Sequence, residues 1–212
     1  MCRYLEQMKK QKKEVDSTTE EKIKEAARVV FTRKGYAAAR TRDIAEEAGI
    51  NLALLNYYFR SKEKLFDIIM MENIQRFIVG AKEILADEDT GLKEKTEKIA
   101  SRYIDMLILN PDLPLFILSE LRANPDQLVD KMGVKNLIAK SSYFQQLKDA
   151  AKVQKVNPLH YFMNTLALIV FPFVASPMIM NIGNLKQADF IALMQERKKL
   201  IAKWVEAIVK AK

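Results

Sequence analysis

The sequence predicts an all-α protein, and three observations carry that prediction. Alanine, leucine, isoleucine, lysine and glutamate dominate the composition, while glycine and proline number only six each; this mixture favours helices and argues against sandwiches, barrels and disorder. Apolar residues recur every three or four positions through most of the chain, the period of a helix face. Residues with capping chemistry stand before these runs, and glycine, asparagine or proline stands after them. With 212 residues, 49% of them apolar, the chain is long enough for one large core or two modest ones.

The elements follow in order. Residues 1–16 form a basic arm containing Lys9, Lys10, Lys12 and Lys13. It reads as a solvated leader or an extension of the first helix, with a phosphate-following arm as the alternative. Ser17-Thr18-Thr19-Glu20-Glu21 offers two overlapping capping boxes, Ser17 with Glu20 and Thr18 with Glu21. Ile23, Ala27, Val30 and Phe31 then recur at helical spacing, and Gly35 supplies a left-handed stop. Thr41 can cap a second helix running through Ala48, with Gly49 as its breaker. Asn51 can cap a third through about Phe59, and Ser61 a fourth from Lys62 to about Leu85.

Beyond Asp87-Glu88-Asp89-Thr90-Gly91 the helices lengthen. One spans Leu92 to Leu109 and is stopped by Asn110-Pro111-Asp112-Leu113-Pro114. A shorter one covers Leu115 to Arg122, before the turn Asn124-Pro125-Asp126. The next runs from Gln127 to Val153, broken near Gly133. Pro158 opens another, Pro172 and Pro177 interrupt it, and Gly183-Asn184 ends it; the last helix runs from Gln187 to Val209. These divisions suggest an arm (1–16), a small helical domain (17–70) and a larger one (71–212).

Composition also excludes functions. The single cysteine, Cys2, rules out a disulfide framework and a cysteine-rich zinc site. With one histidine, His160, and no Walker or dinucleotide motif, no catalytic residue, metal or cofactor is expected, and the chain does not read as an enzyme. The N-terminus lacks an apolar leader segment, so the cytoplasm is the expected compartment. From Val156 to Leu185 no Asp, Glu, Lys or Arg occurs. Its strictly apolar part, Leu166 to Val174, falls short of the ~20 residues of a span. A helix buried on all sides, with His160 in a core or interface, explains the run instead. The net charge of +8 and pI near 9.4 favour a polyanionic partner, either nucleic acid or an anionic membrane. That excess is spread along the chain, so it supports nucleic-acid binding only weakly.

One motif is specific. Two short helices can meet at a steep angle only if the first presents a small residue inward and the turn tolerates positive φ. Ala45 and Gly49 supply these four positions apart, and Ile44, Ala48, Ile50 and Leu55 stand where apolar anchors are required. This is a helix-turn-helix, whose second helix enters the DNA major groove. From Ile23 to Phe66 the chain resembles the N-terminal domain of the TetR/AcrR family of bacterial regulators. The matching residues are Ala26-Ala27, Phe31, Lys34-Gly35-Tyr36, Thr41, Ile44-Ala45, Ala48-Gly49-Ile50, Leu55, Tyr58-Phe59, Ser61-Lys62-Glu63 and Leu65-Phe66.

The resemblance implies a transcription regulator: a homodimer on a near-palindromic double-stranded DNA operator, released by a small-molecule effector bound among the C-terminal helices. Under it, Thr41, Arg42 and Lys62 meet phosphates. Asn51, Leu52, Ala53, Leu54, Asn56 and Tyr58 lie on the third helix's DNA side. Asn56 replaces the family's more frequent tyrosine, and an amide there serves a phosphate or reads adenine. Leu52 and Leu54 replace polar or small residues and suggest contact with thymine methyls, with inward packing as the alternative. Leu55 is expected to point inward.

The implied effector pocket draws on Phe77, Tyr103, Met106, Phe116, Phe144, Tyr161 and Phe162, and their character suggests a largely apolar, weakly charged ligand. The implied dimer interface draws on Leu166, Ile169, Val170, Phe173, Leu193, Leu200, Ile201 and Trp204, forming four helices across a two-fold axis. The competing function is a membrane-associated helical signalling protein whose basic surface meets anionic lipid.

Overall fold

A computed structural model describes residues 2–123 and 125–210, and their side chains from residue 18 onward except at position 136. Twelve α-helices and no strand occur among the described residues, as helix-favouring composition requires. Contacts divide the chain into a unit ending at Glu72 and a second beginning at Asn73.

In the first unit, α1 (Cys2–Ala38) runs through the positions expected to cap it. Ser17 therefore lies inside a helix, and its side chain, like those of Cys2, Lys9, Lys10, Lys12 and Lys13, falls outside the described residues. The leader's backbone simply continues the helix. Gly35, at φ 72°, breaks the helical geometry where a left-handed stop is expected, but a short helical segment follows before α2 (Thr41–Glu47). Ile23, Ala27 and Val30 are fully buried, and Phe31 meets Phe66 edge-on at 5.1 Å.

Helix α3 (Leu52–Tyr58) begins at Asn51, and α4 (Lys62–Ala86) begins after Ser61. Both expected caps form: Asn51 Oδ1 accepts from the Leu54 N–H at 2.8 Å, and Ser61 Oγ from the Lys64 N–H at 3.1 Å. The cap expected of Thr41 does not form. Thr41 is already helical, and Arg40 is the extended residue before it; the Arg40 N–H donates to the Asp43 carboxylate at 3.1 Å. Asp43, three residues on, reaches back to the Arg40 N–H, a different donor from the one a Thr41 cap would have met.

Within the second unit, α5 (Leu92–Leu109) occupies its expected span, and Ala100, Ile104 and Leu107 are fully buried on one face. Its largest contact is with the final helix, α12 (Gln187–Lys210). Between them come α6 (Leu113–Ala123), α7 (Pro125–Met132), α8 (Val134–Ala139), α9 (Ser142–Gln154), α10 (Leu159–Val174) and α11 (Ser176–Ile182). Helix α6 starts two residues early because Pro114 fits the first turn of a helix, whose N–H groups have no partner anyway. Asn124 lies outside the described residues.

The single helix expected from Gln127 to Val153 is three helices. Gly133, at φ 63°, makes the first break as anticipated. Ser141 makes the second by capping α9, its Oγ accepting from the Phe144 N–H at 3.1 Å. Pro172, expected to interrupt, instead sits inside α10, and the break comes at Ala175; Pro177 opens α11. Nor is α10 buried on all sides: Ile169 is 1% exposed but Phe171 is 56% exposed. His160 lies exposed in the first turn of α10 rather than in a core. No single helix among the described residues is long and apolar enough to cross a membrane, and α10 and α11, apolar enough together, meet at 70°.

Candidate nucleic-acid interface and internal cavity

Helices α2 and α3 pack on each other through small and apolar groups. Ile44, Ala45 and Leu55 are buried, and Gly49 turns the chain between the helices at φ 65°. A Cβ on Gly49 would meet nothing within 4 Å, so backbone conformation alone favours glycine there. The Ile50 N–H returns to the Ala45 carbonyl at 3.0 Å and closes the turn.

With Leu55 committed inward, α3 leaves another face open. Asn51, Leu52, Ala53 and Asn56 are exposed, and Leu54 and Tyr58 are half-buried. Leu52 therefore points outward as its place in the first turn suggests, and Leu54 divides its surface between solvent and protein. Tyr57, absent from the residues singled out by sequence, is 74% exposed and meets Tyr58 edge-on at 5.3 Å. Its position beside the family-matching pair Tyr58-Phe59 was the available signal. Arg40 was missed as well, because the cap was assigned one residue too late.

Thr41 and Arg42 open α2, half-buried and exposed respectively. Salt bridges hold that helix to α1: Lys34 Nζ lies 2.9 Å from Asp43 and Arg33 3.3 Å from Glu47. Hydrogen bonds from Lys34 and the Arg40 N–H hold the Asp43 carboxyl below its usual range. Lys62 is not a free cation awaiting phosphate. Its ammonium donates to the carbonyls of Tyr36 at 2.9 Å and Ala39 at 3.0 Å, and lies 4.2 Å from the centre of the Tyr36 ring. The side chain thereby brings the start of α4 to the α1–α2 corner.

In the same unit, Glu72 on α4 receives Lys24 at 2.8 Å and also Arg28, both from α1. Burial pushes the Glu72 carboxyl upward, but hydrogen bonds and charge from Lys24 and Arg28 outweigh it and leave the group below its ordinary value.

The second unit contains a partly open cavity of about 390 Å³, toward the lower end of the ~300–1,000 Å³ of ligand pockets. Of the residues singled out, Phe77, Tyr103, Met106 and Phe162 line it. Phe116, Phe144 and Tyr161 do not: Phe116 is buried elsewhere, and Phe144 and Tyr161 belong to the packing around Leu147. Much of the wall is aliphatic, from Ile74, Ile78, Ile99, Leu137 and Ile138. Nothing in the sequence separates these aliphatic residues from ordinary core. Among the described residues, no charged side chain lines the cavity.

The residues expected at a subunit interface divide. Ile169, Phe173 and Ile201 are spent in the core of their own unit, and Val170 and Leu200 are half-buried. Leu166, Leu193 and Trp204 are left 36–41% exposed. Helical periodicity marks a stripe but does not say which neighbour covers it.

Residues 23–69 match the model of the bacterial regulatory proteins of the tetR family. That segment is a TetR-family DNA-binding domain. The chain is a DNA-binding transcription regulator. It is 24% identical to the "Probable HTH-type transcriptional regulator YttP" of Bacillus subtilis (strain 168) over 166 residues, 74% of this chain and 78% of that protein. It is 27% identical to the fatty acid metabolism regulator protein of the same organism over 111 residues, 52% of this chain and 57% of that one. Among solved structures, the TetR-family regulator PfmR from Thermus thermophilus shares the fold with a TM-score of 0.57 at 16% identity, over 85% of this chain and 97% of that one. FadR from Bacillus subtilis, in complex with stearoyl-CoA, does so with a TM-score of 0.53 at 21% identity, over 85% and 96%. The chain therefore shares its helical C-terminal architecture with proteins whose sequences differ widely from its own.

Proposed function

We propose that this chain is a ligand-responsive repressor that binds a palindromic operator as a homodimer in the cytoplasm, and that it catalyses no reaction. The observation that carries the DNA-reading part is the open surface of α3, where Leu52, Ala53, Asn56 and Tyr57 stand exposed while Leu55 is buried. A helix anchored along one side and bare along the other suits insertion into a major groove. Leu52 and Ala53 would contact thymine methyls, Asn56 would read adenine or meet a phosphate, and Asn51, Leu54 and Tyr58 would frame them. Thr41 and Arg42 would meet phosphates at the start of α2. Lys62 holds the corner on which that start rests and keeps one N–H donor for phosphate.

The uncharged cavity supports a largely apolar effector. The complex of FadR with stearoyl-CoA supports a ligand with a hydrocarbon portion. Leu166, Leu193 and Trp204, exposed on a single chain, are the apolar surface that a second copy would cover. Effector binding releases DNA only to the extent that it favours one arrangement of the dimer over another.

Selection of bound sequences from random DNA tests the reading. A palindromic consensus is expected, with half-sites about one helical turn or more apart. Enrichment of no sequence by folded, ligand-free protein, or binding to anionic vesicles without DNA binding, would overturn it.

A further inference from the structure

Among the described residues, the cavity in the second unit carries only four hydroxyl groups on its walls, those of Tyr103, Ser141, Tyr143 and Thr165, among otherwise apolar side chains. Three of them are engaged within the protein. Ser141 Oγ donates to the Ile138 carbonyl at 2.8 Å and accepts from the Phe144 N–H at 3.1 Å. Thr165 Oγ1 donates to the Tyr161 carbonyl at 2.8 Å. Tyr143 and Thr96 share a longer hydrogen bond of 3.4 Å between their hydroxyls.

Tyr103 differs. Its ring lies against Phe77, centroids 4.6 Å apart, and its hydroxyl has no hydrogen-bond partner among the described residues. Burial pushes this phenol up to about 12, so at neutral pH it is a proton donor. Tyr103 is half-buried, and an unpaired donor on an otherwise apolar wall favours a ligand that offers it an acceptor. A carboxylate is the wrong acceptor, because among the described residues no cationic side chain lines the cavity to offset its lost hydration. At the ~30 Å³ of one water-sized group, the space holds on the order of a dozen non-hydrogen atoms.

We infer that the cavity selects an uncharged, mainly hydrocarbon molecule of about this size carrying one acceptor oxygen, such as a ketone, ester or ether, to which Tyr103 Oη donates. This rests on the cavity being the effector site proposed above, and it narrows the ligand from apolar to neutral with a single acceptor.

Three probes of nearly equal size separate the possibilities by calorimetry on the full chain: butylbenzene, which has no acceptor, 4-phenyl-2-butanone, which has a neutral one, and 4-phenylbutanoate, which is an anion at pH ~7.5. The ketone is expected to bind roughly tenfold more tightly than either of the others. Tyr103→Phe keeps the ring against Phe77 and should lose about that factor for the ketone while leaving butylbenzene unchanged. Leu121→Trp, on a wall residue 40% exposed and so able to accept a larger ring, should weaken both neutral probes by narrowing the space.

Equal or tighter binding of the carboxylate would overturn the inference, as would ketone affinity indifferent to Tyr103→Phe, binding of none of the probes, or stearoyl-CoA binding more tightly than the ketone and independently of Tyr103. These outcomes are read without DNA. A ketone held by Tyr103 that leaves operator DNA bound would uphold this inference and overturn the ligand-response proposal instead.

Discussion

Lys62 Nζ donates to the backbone carbonyl of Tyr36 at 2.9 Å while lying 4.2 Å from the centre of the same residue's ring. One side chain thus satisfies a carbonyl near the end of α1 and stacks its charge on an aromatic face, and a second bond reaches Ala39. The lysine that family position assigns to DNA is, in this chain, also a brace. Lys62→Ala should therefore destabilise the protein by about 1–3 kcal/mol through lost charged hydrogen bonds and cation–π contact. Urea unfolding measures this, and DNA affinity should fall with it across all sequences. Unchanged stability with a salt-dependence slope reduced by about one would show a phosphate contact alone.

Asn51 offers a separation of folding from recognition. Its carboxamide caps α3 by accepting from the Leu54 N–H, and it is exposed at the head of the helix proposed to meet DNA. Asn51→Ala should cost about 1 kcal/mol. Asn51→Asp should keep the cap and the stability, yet weaken operator binding by placing a negative charge beside phosphates. Thermal melts and gel shifts on both variants check the pair; equal DNA affinity for Asn51→Asp and the parent protein would remove Asn51 from the interface.

Gly49 predicts a penalty of purely backbone origin. The space around its missing Cβ is empty, but its φ is 65°. Gly49→Ala should lose about 1–2 kcal/mol, and Gly49→Asn less, because asparagine tolerates the left-handed region. Denaturant midpoints with unchanged slope would measure the difference. An alanine variant as stable as the parent would mean that the turn relaxes into another conformation.

Glu72 predicts acid sensitivity. Its carboxyl, held below an ordinary value of 4.5 by Lys24 and Arg28 against the effect of burial, binds a proton less readily folded than unfolded. Its contribution is therefore present above pH 4.5 and is lost as pH falls through the lowered folded value. Glu72→Gln should remove that part of the acid dependence and cost about 1–3 kcal/mol at neutral pH, because two cations lose a charged partner. Unfolding free energy measured from pH 7 to pH 3 in both proteins is the check, and parallel curves would show that other carboxylates dominate.

The local elements were legible because their causes are local. Asn51 and Ser61 announce helix starts through side-chain oxygens that reach N–H groups three residues on, and Gly49 and Gly133 announce breaks through φ values few other residues adopt. The helix-turn-helix is likewise a pattern of small and apolar residues within one short stretch, so local spacing alone assigns Ala45, Gly49 and Leu55 their places. Sequence and fold part where more than one nearby group could serve a helix start: Asp43 reaches back to the Arg40 N–H before α2 where no Thr41 cap forms, and Ser141 is an ordinary serine until the chain turns there.

What tertiary structure decided is which neighbour each side chain finds. Lys95 reads as a surface charge on α5, yet it is fully buried with its ammonium donating to Ser142 Oγ at 3.0 Å. Ile201 and Trp204 share the apolar stripe of α12, but one is sealed in its own unit and the other is 37% exposed. Tyr103 and Tyr161 are both aromatic residues on amphipathic helices, and only Tyr103 lines the cavity. Sequence determined most of the helices, the caps of Asn51 and Ser61 and the helix-turn-helix motif, because backbone geometry and capping act over three or four residues. The cavity, its aliphatic wall and the unpartnered Tyr103 hydroxyl were set by helices far apart in the chain, because burial depends on three-dimensional neighbours that periodicity does not name.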